Sequence, residues 1–214
     1  MSSVSEVQLC NLALSRLGCP GIQSLSEASR QARACSLHYP VARDAVLRDH
    51  PWTFARKEQT LALVSDETVS GWDYVYQYPT DCLNAIRIHD ETASADPDSY
   101  YDDTQATYSS SKKIEFEVVA SEDLDARRIV SNQENAILVY TAAVTNPVVF
   151  DSLFSQALVL QLASAMAVAL KRSQSLAKNL YQEYLVVLGV AKASNANEGH
   201  RHEISDSAFV KARR

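Results

Sequence analysis

The stretch DSLFSQALVLQLASAMAVAL, Asp151 to Leu170, decides the fold. Asp151 is a good helix N-cap, and Leu153 to Leu170 is apolar nearly all round instead of along one stripe, as in a central helix buried on most sides. Such a helix needs amphipathic neighbours, and the chain offers them before and after it. Upstream, Ser3 and Glu6 form a capping-box pattern for a helix with Val7, Cys10, Leu14 and Leu17 at helical spacing, stopped by Gly18 and Pro20. Ser24 and Glu27 form a second such pattern, and Ala28, Ala32, Cys35, Tyr39, Ala42 and Val46 then recur in steps of four and three. Pro40 should kink or break this helix, and Pro51 ends it. Downstream, Ser173 to Ser175 interrupts the pattern before a last helix with Leu176, Leu180, Tyr184, Val187 and Ala191 on its inner face. From Asn195 onward the periodicity is lost, and the residues to Arg214 read as a tail.

Between the helical halves, from about Gln59 to Thr141, the period changes to two. Trp72, Tyr74, Tyr76 and Tyr78 alternate on one strand face ending at Pro79. Ile114, Phe116 and Val118 alternate with Glu115 and Glu117, predicting one buried and one wet face. Arg128 to Ser131 and Ala136 to Thr141 flank Asn132-Gln133-Glu134-Asn135, which reads as a hairpin turn. The expected class is α+β: a four-helix bundle with an inserted antiparallel β domain and an extended C-terminal arm. The divisions are 1–56 and 150–195 for the two halves of the bundle, 57–149 for the β domain and 196–214 for the arm.

Twenty Lys and Arg against 26 Asp and Glu give a net charge of −6, which disfavours an electrostatic grip on nucleic acid or anionic lipid. The segment 200–214 runs the other way: Arg201, Lys211, Arg213 and Arg214 outweigh Glu203 and Asp206. Cys10, Cys19, Cys35 and Cys82 show no CxxC pair and no zinc spacing, so they read as reduced, mostly buried thiols. Polar residues such as Gln161 and Ser164 interrupt the apolar stretches, and no membrane-spanning helix is expected.

Three clusters invite a chemical reading. Cys35 and His38 share a helix face, yet nothing supplies an oxyanion hole, and a packed thiol beside an ordinary histidine is the simpler account. His200, His202 and Glu203 fall in the tail, where no rigid metal site is expected. The acids from Asp96 to Asp103 lack the central glycine and terminal glutamate of a calcium loop and read as a solvated loop. No phosphate-cradling glycine loop, nucleophile elbow or HExxH motif is present. No catalytic, cofactor-binding or metal-ligating residue is assigned.

Several stretches do resemble one family. Leu9-Cys10-Asn11-Leu12-Ala13-Leu14 with Leu17-Gly18 is followed by Ile22-Gln23-Ser24-Leu25-Ser26-Glu27, Cys35 with Tyr39, and Arg43-Asp44 with Leu47. Then come His50-Pro51-Trp52-Thr53-Phe54-Ala55, Tyr74 to Tyr78 leading into Pro79-Thr80-Asp81-Cys82-Leu83, Ile129, Tyr140-Thr141 and Phe150-Asp151-Ser152-Leu153-Phe154. In order and spacing these resemble the tail tubular protein A family, the head-to-tail adaptor of short-tailed phages, over about residues 4 to 190. HPWTFA and PTDCL are the specific parts; Thr53 stands where the family usually has Asn, and Ser152 where it often has Pro. The resemblance implies a non-enzymatic adaptor, assembled in the host cytoplasm into the virion tail as a twelve-membered ring between the portal protein and the tail nozzle protein. DNA would pass through without specific binding, and twelve chains at −6 each would carry −72, a lining that repels phosphate. Readings from other classes are a small thiol-dependent hydrolase using Cys35 or Cys82, and a host regulatory binding module.

On the adaptor reading three sets of residues carry contacts. His50, Pro51, Trp52 and Phe54 mark the junction between helices and β unit. Asp96, Asp98, Tyr100, Tyr101, Asp102 and Asp103 form a loop at the nozzle end or the lumen. Arg201, Phe209, Val210, Lys211, Arg213 and Arg214 form an arm that docks on the portal or a neighbouring adaptor, with Phe209 as its apolar anchor.

Overall fold

The computed structural model describes residues 4–89 and 114–198. Four helices, α1 (Glu6–Arg16), α2 (Arg30–Arg48), α3 (Ser152–Lys171) and α4 (Gln174–Glu198), bracket six strands: β1 (Arg56–Thr60), β2 (Tyr74–Gln77), β3 (Cys82–His89), β4 (Phe116–Ala120), β5 (Arg127–Ser131) and β6 (Ile137–Ala142). The expected four-helix bundle is not formed. A bundle closes when each helix gives one stripe to a shared core and touches its neighbours around the perimeter. Here α3 takes α1, α2 and α4 onto its own surface, while α1 and α2 scarcely meet. The cause is the all-round apolarity of α3, whose Phe154, Leu158, Leu160, Leu162, Ala163 and Met166 are all buried. The protein is a mixed α/β fold of four helices and two small three-stranded antiparallel sheets.

By length and composition α3 could cross a membrane, contrary to the expectation drawn from Gln161 and Ser164; half of it is buried against the rest of the protein. Two polar residues do not offset so many apolar ones, and the Ser164 hydroxyl donates inward to the Ala177 carbonyl at 2.9 Å.

The helix starts differ from those the capping boxes suggest. Ser5 caps α1, accepting from the Gln8 N–H at 3.1 Å, and Ser29 caps α2, accepting from Ala32 N–H at 3.1 Å. Glu27 instead accepts from the Gln23 N–H at 3.0 Å and closes a turn ahead of the helix. Pro40 leaves α2 unbroken. Both Pro40 and Ser36, whose carbonyl loses its donor, lie on the exposed side, where solvent can satisfy that carbonyl. Gly18, at a φ of +60°, ends α1 in the left-handed conformation that glycine adopts without strain. The Asn11 side chain then clasps the following loop, accepting from the Ile22 N–H at 2.7 Å and donating to its carbonyl at 2.9 Å.

The sheets are ordered β1-β6-β3 and β2-β5-β4. The hairpin expected across Asn132–Asn135 is absent: β5 is central in one sheet and β6 in the other. Each carries a buried run, Ile129 to Ser131 and Leu138 to Thr141, and each has both edges filled by other strands, β5 by β2 and β4 and β6 by β1 and β3. The turn is pinned by Asn132 Oδ1, accepting from the Asp73 N–H at 2.9 Å, and by the Tyr76 hydroxyl, donating to the Gln133 carbonyl at 2.5 Å.

The aromatic row is only partly a core face. Tyr76 is buried with Tyr74 stacked on it, while Tyr78 lies half-buried under the Arg127 guanidinium. Strand β4 is an edge strand, so its alternation buries less than expected, and Val118 is 40% exposed. The two sheets share one core built on Leu61, Tyr76, Ile88, Ile129, Leu138 and Tyr140.

Candidate functional site

The 3-10 turn at Thr53–Ala55 joins α2 to β1 and carries the HPWTFA stretch. Trp52 is fully buried, and its indole N–H donates to the Val46 carbonyl at 2.9 Å, supplying a donor to one of the carbonyls that the last turn of a helix leaves unpaired. Its ring meets Phe154 edge-on at 5.1 Å and His50 edge-on at 5.1 Å. Phe54 packs on Phe154 at 5.0 Å and on Phe150 at 5.9 Å. These aromatics join the end of α2 to the start of α3, while Pro51 stays exposed.

A polar clasp ties the same turn to α4. Thr53 donates both its N–H, at 3.1 Å, and its hydroxyl, at 2.9 Å, to Asn195 Oδ1. Two donors on that oxygen turn the amide nitrogen of Asn195 toward His50 Nε2, 3.0 Å away. His50 therefore accepts there as a neutral imidazole. Burial, with Lys192 nearby, lowers its pKa in agreement. About three turns earlier on α4, the Tyr184 hydroxyl donates to Asp49 at the end of α2; burial and the carboxylate raise the tyrosine pKa. The tail expected from Asn195 is thus helical through Glu198, and Asn195 itself is part of the site. The steps 184, 188, 191 and 195 keep helical spacing, which is the signal that places it.

The PTDCL stretch makes a second fastening point between β2 and β3. Asp81 accepts from the Tyr140 hydroxyl at 2.8 Å and from Lys57 Nζ at 2.7 Å, and its carbonyl accepts from the Ala143 N–H at 2.7 Å. Strands β1, β3 and β6 meet at this one residue. Against partial burial, which raises it, the hydrogen bonds from Lys57 and Tyr140 hold the Asp81 carboxyl below its ordinary pKa. Nothing in the local pattern around Asp81 or Tyr140 marks this contact, which joins residues 59 apart in the chain.

The thiols are packed. Cys10, Cys35 and Cys82 are buried and Cys19 is half-buried. Cys35 Sγ lies 3.7 Å from Met166 Sδ, and the Cys35 thiol together with burial pushes the Cys10 thiol up. Among the described residues no group of His, Cys, Asp and Glu gathers as metal ligands do. Asp96, Asp98, Tyr100, Tyr101, Asp102 and Asp103 lie outside the described residues, as do His200, Arg201, His202, Glu203, Phe209, Val210, Lys211, Arg213 and Arg214.

In these contacts the polar groups of both stretches join one element to another. No protein-family model matches the chain, and no curated protein is similar to it.

Proposed function

We propose that this chain is a structural head-to-tail adaptor of the tail tubular protein A kind, a ring subunit between portal and tail nozzle that works in the virion tail after assembly in the host cytoplasm. The observation that carries the reading is the placement of the two most specific stretches of resemblance. Trp52 and Thr53 fasten the end of α2 to α3 and α4, and Asp81 fastens three strands. Motifs spent on architecture suit a protein whose task is to hold a shape under load, whereas an enzyme's most specific residues converge on a cleft. The burial of Cys35 and Cys82 withholds the solvent access that a thiol nucleophile needs. A net charge of −6 per chain suits a conduit that DNA passes without adhering.

Mass photometry of the purified chain, alone and mixed with purified portal, tests the proposal. Co-migration of portal with many copies of the chain is the expected result. A chain indifferent to portal, with a turnover abolished by thiol-blocking reagents, would overturn it.

A further inference from the structure

One end of the helices gathers cations on an otherwise acidic chain. Helices α1 and α3 finish there and α2 and α4 begin there: Lys171 Nζ donates to the Gly18 carbonyl at 3.0 Å, the Arg30 guanidinium donates to the Ala169 carbonyl, and Arg16 lines one groove with Asn179. In the segments 15–34 and 165–186, Arg16, Arg30, Arg33, Lys171, Arg172 and Lys178 stand against two acids, Glu27 and Glu183. All six cations are exposed, and no carboxylate of the described residues pairs with any of them. Beside them the last turns of α3 leave Ala165, Val168 and Ala169 exposed, at the spacing of a single helix face that ends in Arg172.

The opposite chemistry stands on the turn between β4 and β5. Residues 121–126 hold Glu122, Asp123 and Asp125 and no Lys or Arg. Buried Ser121 fixes this turn: its N–H donates to the Ala126 carbonyl at 2.8 Å and its carbonyl accepts from the Leu124 N–H at 3.0 Å. Its hydroxyl donates to Asp125 at 2.8 Å and accepts from the Ala126 N–H at 3.1 Å. Leu124 is thereby held at a φ of +60°, which leucine rarely adopts, and is 81% exposed. A strained, well-fastened turn that lifts a leucine into solvent among three carboxylates suits a knob made for another surface.

Helix α2 begins at the basic end, and the sheets attach at its other end, about 28 Å from Arg30. The two surfaces are thus set apart in one molecule and are free to meet between molecules. We propose that the Leu124 turn of one copy docks on the basic end of a second copy, with Leu124 on Val168 and Ala165 and the carboxylates of Glu122 and Asp123 among the cations around them. The contact is head-to-tail because its two surfaces differ, and it repeats into a closed ring or a filament. It deepens the ring-subunit reading by naming the contact between copies, and rests on that reading for closure. A phosphate polyanion would match the cations alone and give Leu124 and its acids no part; a second copy uses both surfaces.

Sedimentation velocity of the full chain without portal, at low salt and from micromolar to near-millimolar concentration, tests this. Glu122→Lys with Asp123→Lys reverses the turn, and Arg33→Glu with Arg172→Glu reverses the basic end. The four side chains are exposed and the bonds of Ser121 and Arg30 are kept, so both variants should retain the thermal midpoint. Wild type is expected to associate, more weakly as salt rises. Each variant alone should associate at least tenfold more weakly, and an equal mixture of the two should recover, because the reversed turn then meets the reversed basic end. A wild type that stays monomeric throughout, variants that associate like wild type, or a mixture no stronger than its components would each overturn the inference. So would a monomeric wild type that binds a short labelled DNA duplex and loses it with Arg33→Glu and Arg172→Glu, which would assign the cations to phosphate. Portal binding is read separately, so a failure of this contact and a failure of the adaptor reading remain distinct.

Discussion

Thr53 and Asn195, 142 residues apart, are joined by two hydrogen bonds to one amide oxygen. The turn after α2 and the last helix are therefore held in register by a side chain that has its second function fixed at the same moment, the donation to His50. Replacing Asn195 by Ala leaves the Thr53 N–H without its acceptor and should cost about 1–3 kcal/mol. The midpoint of urea unfolding reads this directly, and a midpoint equal to wild type would show that the clasp contributes nothing.

Trp52 carries more. Its burial and its bond to Val46 predict a loss of about 3–5 kcal/mol for Trp52→Ala, or roughly 6–20 °C in Tm for a domain of this size. Trp52→Phe should recover part of the loss by keeping the contact with Phe154. Scanning calorimetry on the two variants decides it; an unshifted Tm in the alanine variant refutes the placement.

His50 makes stability depend on pH in a definite direction. Its folded pKa lies below the ordinary value of 6.5 because burial, then Lys192, disfavours the charged ring. The unfolded chain therefore binds the proton more readily, so the contribution of neutral His50 is fully present above pH 6.5 and is lost as pH falls through the folded pKa. Tm measured from pH 7.5 down to 5 should decline more steeply in the wild type than in a His50→Gln variant. Parallel curves would contradict the assignment.

Asp81 predicts a local effect. Asp81→Ala removes the acceptor of Lys57 and the nearer of two acceptors of the Tyr140 hydroxyl, the other being Gln59 Oε1 at 3.1 Å; since the Lys57 pair is solvent-exposed, the expected loss is only about 1–2 kcal/mol. Hydrogen exchange should show it as faster amide exchange in β1, β3 and β6, with the helices unaffected.

The thiols give a quick check of the packing. An aromatic disulfide reagent should modify Cys19 first and leave Cys10, Cys35 and Cys82 unreacted until unfolding, given their burial. Rapid reaction of more than one thiol in the native protein would contradict the core as drawn.

What could be read from the sequence was what one segment determines alone. Of the stripe Ala28, Ala32, Cys35, Tyr39, Ala42 and Val46, the last five were legible because a helix face follows from spacing, and all five are buried; Ala28 is exposed and lies ahead of α2, whose start the capping pattern misplaced. What depended on a distant partner was not. The run at Asn132–Asn135 looks like a hairpin because its flanks are β-prone, but the choice of partner belongs to strands scattered from residue 56 to 120. The alternation of β4 gave no sign that it would be an edge. Nor did all-round apolarity in α3 reveal how many helices would settle on it. Asn195 looked like a tail residue because its polar neighbours broke the stripe, although its own position kept helical spacing.

The crossing at Asn132–Asn135 bears on when the protein can fold. Strands of the two sheets interleave along the chain, so neither sheet can be completed from one contiguous piece, and the first sheet still awaits β6 when its other two strands have long been made. Helices α1 and α2 wait longer, since the surface they cover arrives with α3. At ribosomal speeds of about 5–20 residues per second, the apolar faces made first stay uncovered for roughly 5–25 s of synthesis. That interval is when neighbouring nascent chains can capture one another through those faces.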